Sequence, residues 1–161
     1  MSPKYFGKNL QRRIKETLVT DVTGKCSGRF GYVIAVVHVI TVSKGTLTDD
    51  GSGEAMFRVT YRAIVLRPFK DEVIEASVAT CNTMGVYCEI GPLRVMITSA
   101  NMDQAYTFQH QGQGGSWANG DESEAIREGT RVRLKIFGMN IEASHIFALG
   151  SLKEDFLGVV Q

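Results

Sequence analysis

Proline and cysteine are scarce in this chain, with 3 of each among 161 residues, and tryptophan occurs once. Cys26, Cys81 and Cys88 form an odd set without metal-site spacing. That fits a reducing compartment better than a disulfide scaffold. Long hydrophobic runs are also missing. The longest, Val33 to Ile40, has His38 inside it, and a bilayer-spanning helix needs about twenty apolar residues. The opening Met1-Ser2-Pro3-Lys4-Tyr5 lacks the apolar stretch of a secretory signal, and no Asn-x-Ser/Thr acceptor occurs. Nor is there an overall excess of one charge, the formal net being +1. Hydrophobic residues at 43% and charged residues at 22% are globular values, which excludes wholesale disorder. A chain of 161 residues makes one ordinary domain or two small ones.

The near-zero balance hides an asymmetry. Residues 1–70 carry 12 Lys and Arg against 5 Asp and Glu, a net of +7, while residues 71–161 carry 6 against 12, a net of −6. Such a split points to two modules with different partners. The basic half suits an acidic or nucleic-acid partner, and the acidic half is a poor general binder of phosphate backbones.

Leu10, Ile14, Leu18 and Val22 recur every four residues, with Lys8, Arg12, Arg13 and Lys15 away from the stripe. The spacing predicts an amphipathic helix over Phe6 to Thr20, stopped by Gly24. The β-branched run Tyr32 to Thr41 predicts a mostly buried strand. Ala55 to Leu66 alternates Phe57, Val59, Tyr61, Ala63 and Val65 against Arg58, Thr60 and Arg62, the pattern of a half-buried strand. Between them Thr48-Asp49-Asp50-Gly51-Ser52-Gly53 reads as a turn-rich loop. Pro68 breaks the pattern and marks the module boundary, giving modules 1–68 and 69–161. Beyond it, Glu72–Cys81, Gly85–Glu89, Arg94–Thr98, Thr130–Gly138 and Ile141–Ala148 are candidate strands of a small β barrel. The glycine-rich stretch Gln109 to Ser123, with Trp117, reads as a long mobile loop.

Chemistry-bearing constellations are weak. His38, His110 and His145 lie far apart, without neighbouring Cys or carboxylates at ligand spacing, so no metal or cofactor is expected. Cys81 and Cys88 read as buried structural thiols. Gly24, Gly28 and Gly31 are not followed by Gly-Lys-Ser/Thr or a helix, so tight-turn packing is the better reading. Asp49-Asp50 and Asp121-Glu122 read as solvated loop residues. No nucleophile, base and orienter set is present. Nucleic-acid signals are stronger. Arg131, Arg133 and Lys135 alternate with Val132, Leu134 and Ile136, so one strand face is core and the other presents cations about 7 Å apart. Tyr87, between Val86 and Cys88, is expected to face outward, where a ring beside cations stacks a base. A solvated strand face with one exposed Tyr is the alternative reading. Arg58 and Arg62 suit either a protein contact or sheet-edge packing.

Four blocks carry a family resemblance: Tyr5-Phe6-Gly7, Gly24 to Tyr32 (Gly-Lys-Cys-Ser-Gly-Arg-Phe-Gly-Tyr), Tyr61 to Lys70 (Tyr-Arg-Ala-Ile-Val-Leu-Arg-Pro-Phe-Lys) and Gly150 to Gly158 (Gly-Ser-Leu-Lys-Glu-Asp-Phe-Leu-Gly). In this order they resemble the seventh-largest, stalk subunit of eukaryotic RNA polymerase II, a family with a related member in the archaeal RNA polymerase. The resemblance runs from Pro3 over nearly the whole chain. It implies an α+β protein, with an N-terminal truncated ribonucleoprotein-like tip domain (helix on antiparallel sheet) and then an OB-fold RNA-binding barrel. It further implies a non-catalytic nuclear subunit that pairs with the fourth-largest subunit, docks on the core beside the clamp and contacts emerging single-stranded RNA. Core docking carries over to Gly28, Arg29, Gly31, Asp50, Gly51, Ser52 and Gly53, and RNA contact to Tyr87, Arg94, Arg131, Arg133 and Lys135.

The chain also departs from the family. Members usually carry a further strand before the Pro-x-x-Phe-Gly stretch, and its absence here is expected to leave unpaired backbone groups on the tip sheet. Asp71 replaces a glycine, and Met96 stands where such domains often have a ring or polar side chain. With the acidic balance, these changes imply weaker RNA binding than the family norm. Two alternatives stay open: a free-standing OB-fold RNA-binding protein, and the stalk subunit of a paralogous nuclear polymerase.

Overall fold

The computed structural model describes residues 1–111 and 114–160. The chain separates into two compact units, Met1–Cys26 with Phe30–Leu66, and Ser27–Arg29 with Arg67–Gln161.

A 3-10 turn, Pro3–Tyr5, precedes helix α1, Leu10–Val22. The apolar stripe faces inward: Ile14 is buried and Leu10, Leu18 and Val22 are half-buried, while Arg12, Arg13 and Lys15 face water. The helix starts later than its periodicity predicts because Gly7 and Asn9 resist helical ordering, Asn9 sitting at φ −102° and ψ 16° as the N-cap. Glu16 accepts from Arg12 at 2.8 Å and from Arg13 at 3.2 Å across the solvent face. At the far end Gly24 takes φ +79° and its N–H donates to the Val33 carbonyl, turning the chain toward the sheet.

Strands β1 (Cys26–Ser27), β2 (Gly31–Val42) and β5 (Val59–Leu66) form one sheet in the order β1-β2-β5, and β3 (Thr46–Leu47) with β4 (Ala55–Met56) forms a separate hairpin. Between β2 and β5 the antiparallel register shifts three times, at Val33/Ala35, Val36/His38 and Val39/Thr41, and such bulges increase twist. Two expectations are corrected. The β2 run is not mostly buried: Gly31 and Tyr32 are, but Ile34, Val37 and Ile40 are exposed. β-branched composition signals a strand without saying what covers it. The stretch Ala55 to Leu66 is also not continuous. Ala55 pairs back to Leu47 inside the hairpin, and the alternation holds through Phe57, Val59, Tyr61 and Ala63 but fails at Val65, since Ile64 and Val65 are both exposed.

The second unit contains β6 (Val73–Asn82), β7 (Gly85–Ile90), β8 (Leu93–Thr98), β9 (Thr107–Gln111), β10 (Gly114–Asn119), β11 (Asp121–Ile126), β12 (Arg131–Ile141), β13 (Ile146–Ser151) and β14 (Gly158–Val159). The order β13-β8-β7-β6-β12, closed by β12 pairing with β13, makes a five-stranded barrel with β14 against β12. Only the β13–β8 pair is parallel among these neighbours. The fold is α+β, as expected. Val86, Cys88, Leu93, Val95, Ile97, Val132, Leu134 and Ile136 are all 0% exposed inside the barrel, each large apolar side chain contributing about 1.5–3 kcal/mol.

The stretch Gln109 to Ser123 is not a long loop. Apart from residues 112–113, which lie outside the described ones, it runs through β9, β10 and β11, an antiparallel sheet in the order β11-β10-β9. Trp117 is buried and its Nε1–H donates to the Asn82 carbonyl at 3.1 Å, with the Phe108 ring edge-on at 5.5 Å. Phe108 lies so close over Gly115 that a Cβ there would enter the ring. Glycine that suggests flexibility in the sequence here makes room for an aromatic. Asp121 and Glu122 likewise fall in β11 rather than in a loop. Ile141–Ala148 is also corrected: β12 continues to Ile141, the Glu142 N–H donates to the His145 carbonyl across a turn, and β13 begins only at Ile146.

Candidate nucleic-acid interface and docking loop

Alternation decides what reaches the barrel surface. Val86 and Cys88 of β7, Val95 and Ile97 of β8, and Ile146 and Ala148 of β13 point inward, so their neighbours point out. Cross-strand pairing then builds two rows. Tyr87 lies opposite Met96, which lies opposite Leu149; Glu89 lies opposite Arg94, which lies opposite Phe147. Phe147 is 50% exposed, and its ring stacks on His145 with centroids 6.3 Å apart and planes 15° apart. The Arg94 Nε stands 3.2 Å from the Glu89 carboxylate. An outward ring beside a guanidinium is the arrangement that stacks an unpaired base and meets its phosphate.

Phe147 and His145 are functional candidates that the sequence pattern does not single out. Ile146-Phe147-Ala148-Leu149 is apolar throughout, which masks period-two alternation, and the strand expected from the sequence starts five residues early. The available signal is that small residues, Ala148 and Gly150, alternate with large ones.

Arg131, Arg133 and Lys135 stand on the outer side of β12, opposite Val132, Leu134 and Ile136. They do not join Tyr87 and Arg94, because β12 pairs with β6, β13 and β14 while Tyr87 and Arg94 lie on β7 and β8. Each is also already engaged. The two oxygens of Glu75, on β6, take Arg133 Nη2 at 2.8 Å and Arg131 Nη2 at 3.4 Å. Lys135 Nζ is 2.8 Å from Glu154 and 3.9 Å from Asp71. The hydrogen bond from Arg133, helped by the charges of Arg133 and Arg131, pulls the Glu75 carboxyl below its ordinary range. The bond to Glu154 lifts the Lys135 ammonium above its own.

Thr48 to Gly53 caps the β3–β4 hairpin. Asp50 Oδ1 accepts from Ser52 Oγ at 2.6 Å, Thr48 Oγ1 at 2.8 Å and the Ser52 N–H at 3.1 Å. The Thr48 N–H closes the loop on the Glu54 carbonyl at 2.9 Å. Those donors, Ser52 Oγ first, pull the Asp50 carboxyl down to about 2. Gly51 and Gly53 take φ +73° and +67°, conformations that suit glycine. Asp50 and Ser52 thus bond to each other within the loop, and residues 50–53 are all exposed. Of the other docking candidates, Gly31 opens β2 at φ +88°. Gly28 and Arg29 group with the second unit, where the Gly28 N–H donates to the Ala143 carbonyl at 3.3 Å.

Of the two thiols expected to be buried, Cys88 is, whereas Cys81 is half-buried and its Sγ donates to the Ile126 carbonyl at 3.6 Å. Burial pushes Cys88 up to about 12 and Cys81 to about 11. No three His, Cys, Asp or Glu side chains converge on a possible metal position among the described residues.

A closed five-stranded barrel with a ring-and-guanidinium face, in one chain with a helix-and-sheet unit, defines a two-domain OB-fold protein of the S1 type. Residues 67–148 match the S1 RNA binding domain, and residues 1–53 match the SHS2 domain found in N terminus of Rpb7p/Rpc25p/MJ0397. The chain is 40% identical over 160 residues to DNA-directed RNA polymerase II subunit RPB7 of Glycine max, covering 99% of this chain and 90% of that one. It is likewise 40% identical over 162 residues to the subunit rpb7 of Schizosaccharomyces pombe, covering 99% and 92%. A more distant match, 22% identical over 160 residues, covers 99% of this chain and 86% of the DNA-directed RNA polymerase subunit Rpo7 of Sulfolobus acidocaldarius. The chain belongs to the RPB7 family of RNA polymerase II subunits.

Proposed function

We propose that the protein is the non-catalytic seventh subunit of nuclear DNA-directed RNA polymerase II. In this reading its tip module, residues 1–68, pairs with the fourth-largest subunit and docks on the core beside the clamp. Its OB module, residues 69–161, touches emerging single-stranded RNA. The family membership over both modules is the observation that carries the reading. Exposed apolar side chains on the tip sheet support the pairing: Val37 is 58% exposed, Ile64 57% and Ile40 52%. A unit that leaves such groups in water gains from a protein partner that covers them. Core docking is assigned to the clamped loop Asp50 to Gly53 together with Gly28, Arg29 and Gly31. RNA contact is assigned to Tyr87 and Arg94, joined by Phe147 and His145, with Arg131, Arg133 and Lys135 as a second cationic strip.

Co-expression with the fourth-largest subunit tests the pairing. The wild-type chain is expected to co-purify as a heterodimer, and Val37→Asp with Ile64→Asp to abolish it, since each change places a charge in an apolar interface. Retained pairing would move the interface off β2 and β5.

A further inference from the structure

We propose that Glu75 and Glu89 are internal counter-ions that compete with RNA phosphates for the arginines of the barrel surface and so hold its grip on single-stranded RNA weak. The inference rests on the RNA-contact reading above and adds its regulation. It comes from a pattern rather than a single pair: each of the four cations assigned to RNA has a carboxylate already in place. Glu89 holds Arg94 at 3.2 Å, Glu75 holds Arg133 at 2.8 Å and Arg131 at 3.4 Å, and Glu154 holds Lys135 at 2.8 Å.

Register makes these pairings features of the sheet. Glu89 lies directly opposite Arg94 across β7–β8, and Glu75 directly opposite Arg133 across β6–β12. Glu75 divides its two oxygens between two guanidiniums, so it presents the cations as a partly neutralised strip. The arginines remain reachable, with side chains 72%, 43% and 67% exposed at Arg94, Arg133 and Arg131. A phosphate can therefore reach them, but only by displacing a carboxylate. Exposed ion pairs are weak and salt-screened, so the competition tunes affinity rather than blocking it. A surface meant to let a chain slide past benefits from contacts that exchange one anion for another.

The consequence for salt dependence is specific. Binding to a bare cation releases a counter-ion and steepens the fall of affinity with salt by about 0.7 per phosphate on a single strand. Displacing a tethered carboxylate releases it too, but exposes a carboxylate that takes a cation up, so the net release is smaller. The wild-type chain is thus expected to show a shallower slope than its cation count implies.

The test is fluorescence anisotropy of a labelled oligouridylate on the full chain, titrated at several salt concentrations. Glu75→Gln and Glu89→Gln keep side-chain shape and remove the charge. Each is expected to tighten binding by about two- to fivefold and to steepen the slope by up to about 0.7 for every cation freed, at unchanged melting temperature. Tightening confined to one variant would support the proposal and locate the gated face on β12 or on β8. Arg94→Ala and the pair Arg131→Ala with Arg133→Ala separate the possible failures. If these weaken binding while neither Gln variant tightens it, the counter-ion proposal is overturned and the RNA reading stands. If no variant changes affinity, the proposal and the assignment of RNA to these residues both fall.

Discussion

A methyl group on Gly150 would meet Val95 Cγ1 at 3.0 Å, Leu134 Cδ1 at 3.1 Å and Ile97 Cγ1 at 3.2 Å. All three neighbours are fully buried, so each would have to give way within a packed core. Gly150→Ala is predicted to cost about 1–3 kcal/mol of stability, read as a lower urea midpoint for the full chain. An unchanged midpoint would mean that β13 shifts freely. Asp50 is governed by hydrogen bonding instead. Its carboxyl sits at about 2 against an ordinary 3.8. A folded-state value below the ordinary one means that the loop's support is fully present above 3.8 and is lost as pH falls through about 2. An NMR acid titration of the Ser52 amide should show its midpoint near about 2, and Asp50→Asn should disturb that amide at neutral pH. A midpoint at the ordinary value would remove the clamp.

Elements show which physics a sequence exposes. Helix α1 is legible because one face of Leu10, Ile14, Leu18 and Val22 is enough to define it. Strands with clean alternation, such as Arg131 to Ile136, are legible for the same reason, and so are their outward cations. What alternation cannot report is the partner strand. The sequence suggests one site from Arg131, Arg133, Lys135 and Tyr87, yet pairing puts the three cations on β12 and Tyr87 on β7. Nor can composition reveal a carboxylate such as Glu75 that is far away in sequence and opposite in register. The β9–β10–β11 sheet is hidden by glycines that serve ring packing. Two predictions belong at this scale. Tyr87→Ala and Phe147→Ala should each weaken oligouridylate binding by about 1–3 kcal/mol while leaving its salt slope unchanged; no loss would leave the ring face outside the RNA path. Gly51→Val with Gly53→Val should reduce core docking while heterodimer formation persists, because both positions need positive φ. Docking that survives would place the contact elsewhere.

For the whole molecule, the charge asymmetry and the two units suggest a division of labour. A basic, apolar-faced tip unit suits attachment to other proteins, and a net-acidic barrel with tethered cations suits light contact with a moving strand. Neither task needs a reacting group, so output is a binding free energy. The family blocks are legible from sequence because four of them fall in order along the chain. The exposed tip sheet is not, since β-branched composition signals a strand without saying what covers it. The most direct test of the stalk reading is a tagged pull-down from the native organism at moderate salt, with mass spectrometry of what co-elutes. Recovery of one small helical subunit together with the large RNA polymerase II subunits is the predicted result. Recovery of RNA, ribosomal proteins or decay factors without polymerase would contradict it.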